Sequence, residues 1–330
     1  QSGLTDDELY GRVAGMVARA GIDTLVGIGP KLKRYAALFG CDREFYASTD
    51  ECIARIGRRA VAGRAVLLKG AREYRFEKLA HALARKSHTT VLEVDLDAMI
   101  HNLNYFRSKL SFGTRLVAMV KAGSYGAGDF EVAQMLQHQG VDYLAVAFAD
   151  EGVLLRERGI SMPIVVLNAD ADSFDVMIAN RLEPEIYSFH SLGAFADAVT
   201  HAGETRYPIH VKLDTGMNRI GFVDTEAFEA ALRLLKECPN LVFEGMFTHF
   251  AVSEIEDKTF TRAQAERFAA YADIARRYGH TPLLHASNSG GVLDLPEFQF
   301  DMVRAGIALY GYHPAGAAGI ADLRPVLSWK

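Results

Sequence analysis

Two lysines of this 330-residue sequence follow or interrupt apolar runs, where an amine would be removed from water. Lys121 comes directly after the apolar run 116–120, and Lys212 lies within the run 209–213. A lysine in such a place has a lowered pKa, and its neutral amine can act as a nucleophile or form a Schiff base. The alternatives are a solvated strand end for Lys121 and, for Lys212, an ion pair with Asp214 at a rim.

Arg304, Gly306 and Ile307 form a possible anion site. Exposed backbone N–H groups beside an arginine suit the phosphate sites that barrel proteins place after their last strands. A phosphate site near a buried lysine predicts a phosphate-bearing cofactor, and pyridoxal 5'-phosphate is the candidate. No metal site is predicted, because the three cysteines contain no CxxC pair.

Other polar side chains stand at the ends of further apolar runs. Tyr125 and Arg219 lie in glycine-containing segments, and His249, Asn288 and Ser289 follow later runs. Most have a structural alternative: a packed loop aromatic for Tyr125, a core histidine for His249, and helix capping for Asn288 and Ser289. Their shared position at the ends of strands predicts a single site.

The elements that would position these residues alternate regularly along the chain from Val91. One alternating strand over Val91–Leu96 is followed by eight apolar runs, with helical periodicity in nearly every interval. Eight strands alternating with helices over about 200 residues predict an α/β fold, a (β/α)8 TIM-type barrel in preference to a doubly wound open sheet. Thr261 and Gln264 fit a capping box at the start of the last long helix. The eight runs are 116–120, 143–148, 164–167, 184–187, 209–213, 242–247, 283–286 and 303–309.

The first 88 residues predict a small, separate α/β unit, a Rossmann-like partial domain. Its predicted strands are 24–28 and 65–68, and residues 86–89 are predicted to be a linker. Predicted helices cover 9–20, 48–56 (with a capping box at Ser48) and 77–86. We therefore expect three domains: 1–88, a barrel at 89–312, and the start of a C-terminal β-domain at 313–330.

Composition excludes several classes of partner. The chain has 36 basic and 41 acidic residues, a net charge of −5, which argues against nucleic acid or an anionic membrane as a partner. No apolar run approaches the roughly 18 residues of a membrane span. With three cysteines and no secretory-signal pattern, a cytoplasmic location is expected.

Residues 89–330 resemble the alanine racemase family, the fold-type III pyridoxal-phosphate enzymes. The resemblance implies interconversion of L- and D-alanine for peptidoglycan synthesis, with pyridoxal 5'-phosphate as cofactor, alanine as small-molecule substrate and a homodimeric full-length protein. The motifs that carry it are Lys121-Ala122-x-x-Tyr125-Gly126-x-Gly128, Lys212-x-Asp214-Thr215-Gly216-Met217-x-Arg219, Thr248-His249-Phe250, Asn288-Ser289 and Arg304-x-Gly306-Ile307-x-Leu309-Tyr310-Gly311.

The resemblance also implies roles for single residues. Lys121 would hold the cofactor covalently and act as one of two catalytic bases. Arg219 would contact the cofactor's phenolic oxygen and the substrate carboxylate, oriented by a carbamylated Lys212, and His249 would stack on the ring. Arg304 would bind the pyridine nitrogen. The remaining cofactor contacts, chiefly to the phosphate, would come from Tyr125, Asn288, Ser289, Gly306 and Ile307.

Residues 1–88 are similar to the C-terminal domain of a Mur ligase of the type that adds D-alanyl-D-alanine to the muramyl peptide. The segments 23–29, 45–48 and 66–72 carry this similarity. No G-x-x-x-x-G-K-[ST] loop is present, so the chain is not expected to be an ATP-dependent ligase by itself. We expect a fragment of a bifunctional protein that lacks the tyrosine serving as the family's second base, and that racemises poorly.

Two other functions stay open. One is a non-catalytic barrel that binds pyridoxal 5'-phosphate, and the other is a non-catalytic portion of an ATP-dependent D-Ala-D-Ala-adding ligase. The sequence also does not separate alanine from serine as the substrate, because the two differ by one hydroxyl group.

Overall fold

The computed structural model describes residues 4–56, 61, 63–84, 91–314 and 322–330. The chain divides into two compact units, Gln1–Thr90 and Val91–Lys330. The predicted linker 86–89 lies outside the described residues. In the described part of the chain, no helix has the length and apolar character needed to cross a bilayer.

The first unit has an α/β arrangement built on two strands. The strands pair in parallel, from Thr24 opposite Asp42 to Ile28 opposite Tyr46. Ile28, Cys52 and Leu79 are buried at its core. Its elements are α1 (Asp6–Arg19), β1 (Thr24–Ile28), α2 (Pro30–Arg34), β2 (Asp42–Tyr46), α3 (Thr49–Arg55) and α4 (Phe76–Leu83).

The strand predicted over 65–68 is wrong. These residues have no regular structure, and the Leu67 side chain is 81% exposed. Among the described residues of this unit, β1 and β2 pair only with each other. The apolar run therefore has no strand partner and places only Leu68 against the core. By contrast, Ser48 caps α3 as predicted, because its side chain accepts a hydrogen bond from the Glu51 N–H at 3.2 Å. The reciprocal half of the predicted capping box differs, since the Glu51 side chain accepts from the Ala47 N–H at 2.7 Å.

The second unit confirms the predicted (β/α)8 barrel. All neighbouring strands are parallel, in the order β10-β9-β8-β7-β6-β5-β4-β11. The gap between β10 and β11 is bridged by the Asp301 N–H donating to Leu284 O at 3.0 Å and the Arg304 N–H donating to Ser287 O at 2.9 Å. The strands are β4 (Arg115–Met119), β5 (Tyr143–Val146), β6 (Ile164–Val166), β7 (Glu183–Ile186), β8 (Tyr207–Lys212), β9 (Leu241–Phe247), β10 (Leu283–His285) and β11 (Met302–Ala305).

Helices cover the outside of the barrel, and their apolar faces pack against the strands. Fully buried aromatic rings such as Phe106, Phe195, Phe228 and Phe268 fill this layer. A short two-stranded sheet, β3 (Leu92–Val94) with β12 (Leu327–Trp329), is antiparallel. The helices are α5 (Leu96–Lys109), α6 (Lys121–Tyr125), α7 (Phe130–His138), α8 (Ala149–Glu157), α9 (Phe174–Ala179), α10 (Phe189–His201), α11 (Thr225–Lys236), α12 (Thr259–Arg277) and α13 (Ser289–Asp294).

Two predictions in this unit, the end of the last strand and a capping box, are wrong. The last barrel strand ends at Ala305, before its predicted end at Leu309, because a 3₁₀ turn begins at Ile307. The predicted capping box at Thr261 is wrong, since α12 already begins at Thr259. The Gln264 side chain instead accepts a hydrogen bond from the Ala251 N–H at 2.9 Å.

Candidate active site

One cavity of about 690 Å³ is lined by all of the predicted site residues. It lies where the barrel strands end in their carboxyl direction, so that residues far apart in sequence meet there. The predicted residues among its lining are Lys121, Tyr125, Lys212, Arg219, His249, Asn288, Ser289, Arg304, Gly306 and Ile307.

Lys121 is positioned by an unusual turn after β4. In α6, the backbone angle φ is 52° at Ala122, 60° at Gly123 and 52° at Ser124, so the turn is left-handed. A left-handed residue with a Cβ costs on the order of 1 kcal/mol, which packing elsewhere must offset. Glu151 provides such an anchor, since its Oε1 accepts a hydrogen bond from the Ala122 N–H at 2.6 Å. The turn leaves the Lys121 amine 5.9 Å from the centroid of the Tyr125 ring.

A group of hydrogen-bond donors converges around Gly306. The Gly306 N–H donates to Ser289 Oγ at 2.9 Å. A Cβ built on Gly306 would lie 3.0 Å from the Tyr125 hydroxyl oxygen, which shows how closely that hydroxyl approaches the backbone. Burial raises the pKa of Tyr125, so this hydroxyl keeps its proton and can donate it to an acceptor. Two hydroxyls and a glycine backbone form a cradle suited to an oxyanion.

Arg304 is a buried cation held by neutral acceptors. One terminal nitrogen donates to His285 Nδ1 and His285 O, each at 3.0 Å. The other donates to Thr248 O at 2.7 Å, Ala286 O at 3.1 Å and His249 Nδ1 at 3.2 Å. Burial lowers the pKa of Arg304 to about 10, which still leaves the guanidinium protonated at neutral pH.

Both histidines beside Arg304 are neutral. Burial, with the Arg304 charge second, holds the pKa of His249 and of His285 well below the usual range. Because Nδ1 of each ring accepts from Arg304, the proton of each neutral ring is on Nε2. The Phe247 ring stacks on His285 at a centroid distance of 4.6 Å. His249 is thus a flat neutral ring on the cavity wall.

The segment after β8 places Lys212 and Arg219. The Asp214 carboxylate accepts hydrogen bonds from the N–H groups of Gly216, Asn218 and Arg219 at 2.8 to 3.1 Å. The Asp214 carboxylate therefore holds the turn that carries Arg219. It does not form the ion pair with Lys212 that the sequence left open as an alternative. Lys212 is buried, and burial lowers the pKa of its amine to about 8. Arg219 is exposed at the cavity.

Asn288 lines the cavity but uses its side chain for structure. Its Oδ1 accepts hydrogen bonds from the Gly291 N–H at 3.0 Å and from the Ser253 hydroxyl at 2.7 Å. It therefore caps α13, the structural alternative noted from the sequence. Its neighbour Ser289 instead faces Gly306 and belongs to the donor cradle.

Among the residues in or near the cavity that sequence reasoning missed are Glu185, Phe247 and His285. Glu185 lies on β7, where residues 183 and 185 are one strand period apart and so share a face. Glutamates at two successive same-face positions of a buried strand were the available signal. Phe247 and His285 offered none, since an aromatic residue at a strand end is common.

Known proteins share this barrel. The family model described as "Alanine racemase, N-terminal domain" matches residues 94–314. Alanine racemase of Clostridium tetani (strain Massachusetts / E88) is 35% identical over 243 residues, which are 72% of this chain and 62% of that protein. Alanine racemase of Geobacillus stearothermophilus is 37% identical over 236 residues, 72% of this chain and 60% of the relative. The solved structure of Clostridium difficile 630 alanine racemase in complex with cycloserine matches with a TM-score of 0.70 and 34% identity, over 74% of this chain and 68% of that one.

The chain spans about three fifths of the length of the curated relatives that it matches. The family match includes the whole barrel and every predicted site residue. With two thirds of its residues in that match, the chain belongs to the alanine racemase family.

Proposed function

We propose that this chain binds pyridoxal 5'-phosphate in the barrel cavity and contributes that site to the racemisation of alanine. Its family depends on this cofactor. The observation that carries the proposal is the meeting of a donor cradle at Gly306 with the Lys121 amine and the buried Arg304 in one cavity.

The residues present fit the cofactor. In this cradle the hydroxyls of Tyr125 and Ser289 can donate to a phosphate, while the Gly306 N–H holds Ser289 in place, and a larger residue at 306 would fill the space. Arg304 keeps its proton at neutral pH, so it would donate to the pyridine nitrogen rather than protonate it. The neutral His249 ring can pack against the cofactor ring without adding charge.

When bound, the cofactor withdraws electrons from an attached amino acid and acidifies its Cα proton. Lys121 Nζ would hold the cofactor and then take or return that proton on one face of the substrate. Arg219 would bind the substrate carboxylate, because its guanidinium is exposed at the cavity and its turn is fixed by Asp214. Arg304 would keep the ring nitrogen unprotonated, which limits electron withdrawal and favours simple return of the proton over transamination.

Borohydride trapping tests the site. After incubation with pyridoxal 5'-phosphate, reduction should fix the cofactor to Lys121, as read by peptide mapping, and Lys121→Ala should carry no label. Lys330, exposed and paired with Glu93, offers a control in Lys330→Ala, which should label as wild type does. Label on another lysine in the wild type would overturn the assignment.

Proton exchange tests the activity and the substrate. Alanine incubated with the cofactor-loaded chain in heavy water should lose its Cα proton signal by NMR, and Lys121→Ala should abolish this loss. Serine measured in parallel decides between the two substrates. Exchange that persists in Lys121→Ala would show that Lys121 is not the base.

We further infer that residues 1–88 are a Mur ligase C-terminal-type unit that precedes the racemase barrel in the chain, which would couple D-alanine supply to its use in peptidoglycan. Its parallel β1–β2 pair flanked by helices supports this proposal. Calorimetry would test this proposal by measuring whether the purified chain binds D-alanyl-D-alanine or a muramyl peptide. The absence of measurable binding of both ligands would count against it.

We also propose that the full-length protein is a cytoplasmic homodimer, with a small molecule and not a nucleic acid as its partner. The acidic balance of the chain supports the exclusion of nucleic acid. Light scattering after size exclusion would test the oligomeric state, and a full-length protein that remains monomeric at micromolar concentration would contradict it.

A further inference from the structure

Two carboxylates and two bases face each other inside the barrel on neighbouring strands. In the parallel pairing of β7 with β8, Glu185 is opposite His210, and Ile186 is opposite Val211. Residues 183 and 185 on β7 therefore share the inner face with residues 210 and 212 on β8. The inner face carries Glu183, Glu185, His210 and Lys212, and all four are buried.

The first pair, Glu183 with His210, forms the lower layer of this arrangement, and its two side chains contact each other. His210 Nε2 lies 2.7 Å from Glu183 Oε2, so this carboxylate has its partner. The His210 ring also packs edge-on against His285 at a centroid distance of 5.6 Å. Glu183 thus serves His210 and is not available to the cavity.

The upper layer, Glu185 with Lys212, faces the cavity. Glu185 is 2% exposed, and its Oε1 has no hydrogen-bond partner among the residues that the structure describes. Lys212 is also 2% exposed, and its amine lies over the Phe247 ring at 4.9 Å from the centroid. The two groups form no direct ion pair in the structure, so each acts on the other's charge across the barrel interior, where opposite charges attract more strongly than in water.

The pKa values show that the two groups influence each other. Burial raises the pKa of Glu185 to about 7, and Lys212 is the strongest of the cations that oppose the rise, ahead of Arg219 and Arg304. Burial lowers the pKa of Lys212 to about 8, and Glu185 is the strongest influence in the opposite direction. Above about pH 7, the carboxylate form of Glu185 therefore faces three cations.

This charge bears on the expected carbamylation of Lys212. In carbamylation the ammonium group first loses one proton, and the neutral amine then forms an N–C bond to carbon dioxide as one C–O π bond opens and a second proton leaves. A cation is thereby replaced with an anion. The carbamate would place a negative charge next to Arg219. Glu185 already supplies one in the chain itself, and a carbamate would have to form beside it.

We propose that Glu185 is a positioning residue of this site: its carboxylate is the built-in counter-ion of Lys212 and Arg219, and Lys212 functions as an unmodified amine. The role of the site rests on the function proposed above, but the chemical state of Lys212 does not. Glu185 acts through Arg219, which would contact the cofactor and substrate.

The test measures the carbamate directly. The chain without cofactor is equilibrated with ¹³C-bicarbonate, and the carbamate is sought by ¹³C NMR and by alkylation followed by peptide mass mapping. Wild type and Glu185→Asp should show no carbamate at Lys212, because both keep the negative charge. Glu185→Gln should show one, and Glu183→Gln is the matched control that should not, since Glu183 serves His210.

Cofactor binding gives a second readout. In buffer freed of carbon dioxide, Glu185→Gln should bind pyridoxal 5'-phosphate at least tenfold more weakly than wild type, and added bicarbonate should restore the affinity. A carbamate on Lys212 of the wild type overturns the proposal, even if no variant folds. Glu185→Gln that matches wild type in both measurements also overturns it. If wild type lacks the carbamate and also fails to bind the cofactor, the proposed function fails while the state of Lys212 stands.

Discussion

Arg304 shows how a single charge organises the cavity wall. Its five hydrogen bonds end on three carbonyl oxygens and two imidazole nitrogens, none of which carries a formal charge. The guanidinium therefore fixes the ends of β9 and β10, and its charge adds to the effect of burial, which keeps His249 and His285 neutral. A residue proposed to bind the cofactor is at the same time part of the framework.

Removal of this cation should destabilise the fold. Arg304→Leu would leave buried acceptors without donors, and we expect a loss of about 3 kcal/mol in the free energy of unfolding. Urea denaturation followed by circular dichroism measures it. Arg233→Leu, at an exposed position of α11, should change the same quantity by less than about 0.5 kcal/mol. Equal effects of the two changes would contradict the structural role of Arg304.

The neutral histidines predict a pH dependence. The pKa of His285 is lowered in the folded state, so below about pH 6.5 the unfolded chain binds a proton that the native state does not. The neutral His285 therefore makes its full contribution to the free energy of unfolding above that pH, and this contribution is lost as the pH falls. Between pH 6.5 and 5.5, wild type should lose about 1 kcal/mol more than His285→Gln. Denaturation curves at several pH values check this, and parallel losses in both proteins would refute it.

At the level of elements, short irregular segments after the strands do the positioning. The left-handed α6 follows β4, the Asp214 turn follows β8, and Gly306 follows β11. None of these segments has a regular periodic pattern, yet each sets the place of a cavity residue. The regular strands form the rigid part of the barrel, and these turns set the positions of the cavity side chains.

Gly306 provides a test of the cradle. A Cβ added by Gly306→Ala would lie 3.0 Å from the Tyr125 hydroxyl oxygen, inside the cradle. We expect the affinity for pyridoxal 5'-phosphate to fall by about tenfold or more, because the loss of one hydrogen bond to an anion has an effect of that size. Gly193→Ala in α10, where a Cβ meets nothing within 4 Å, should leave the affinity unchanged and add up to about 1 kcal/mol of stability. Titration by absorbance distinguishes the two.

Gly245 on β9 is required by its neighbour on β8. A Cβ at this position would overlap the His210 ring, where the β8–β9 register shifts between Ile209 and His210. Gly245→Ala should therefore cost about 1 to 3 kcal/mol of unfolding free energy through overpacking. Thermal and urea unfolding measure it, with Gly193→Ala as the reference. A stability equal to that of wild type would show that the ring moves freely.

For the whole molecule, the barrel and the meeting of the candidate residues in one cavity were predictable for a simple reason. Parallel strands buried on both faces appear as apolar runs, and their carboxyl ends must meet, so polar residues after the runs fall into one cavity. The prediction of a strand at 65–68 was wrong because apolar character does not reveal whether a partner strand exists. The capping box at Thr261 failed because its residue pattern also occurs inside a helix. Glu185 was missed because its meaning depends on Lys212, a strand away in space.

The division into two units leads to a prediction for the chain as a whole. Every lining residue of the cavity lies in Val91–Lys330. A protein made of residues 91–330 should therefore bind pyridoxal 5'-phosphate within about threefold of the whole chain's affinity, a difference of less than 1 kcal/mol. Absorbance titration of both proteins measures it, and a tenfold weaker affinity of the shorter protein would show that the first unit contributes to the site.

Glu151 has a consequence for how function could be lost. Its two carboxylate oxygens are committed to the main chain, one to Ala122 and the other to Ala147 at 2.7 Å. It is not among the residues that line the cavity. The position of the Lys121 amine thus depends on a side chain of the next repeat of the barrel. A mutational survey confined to the ligand's immediate surroundings would overlook this dependence.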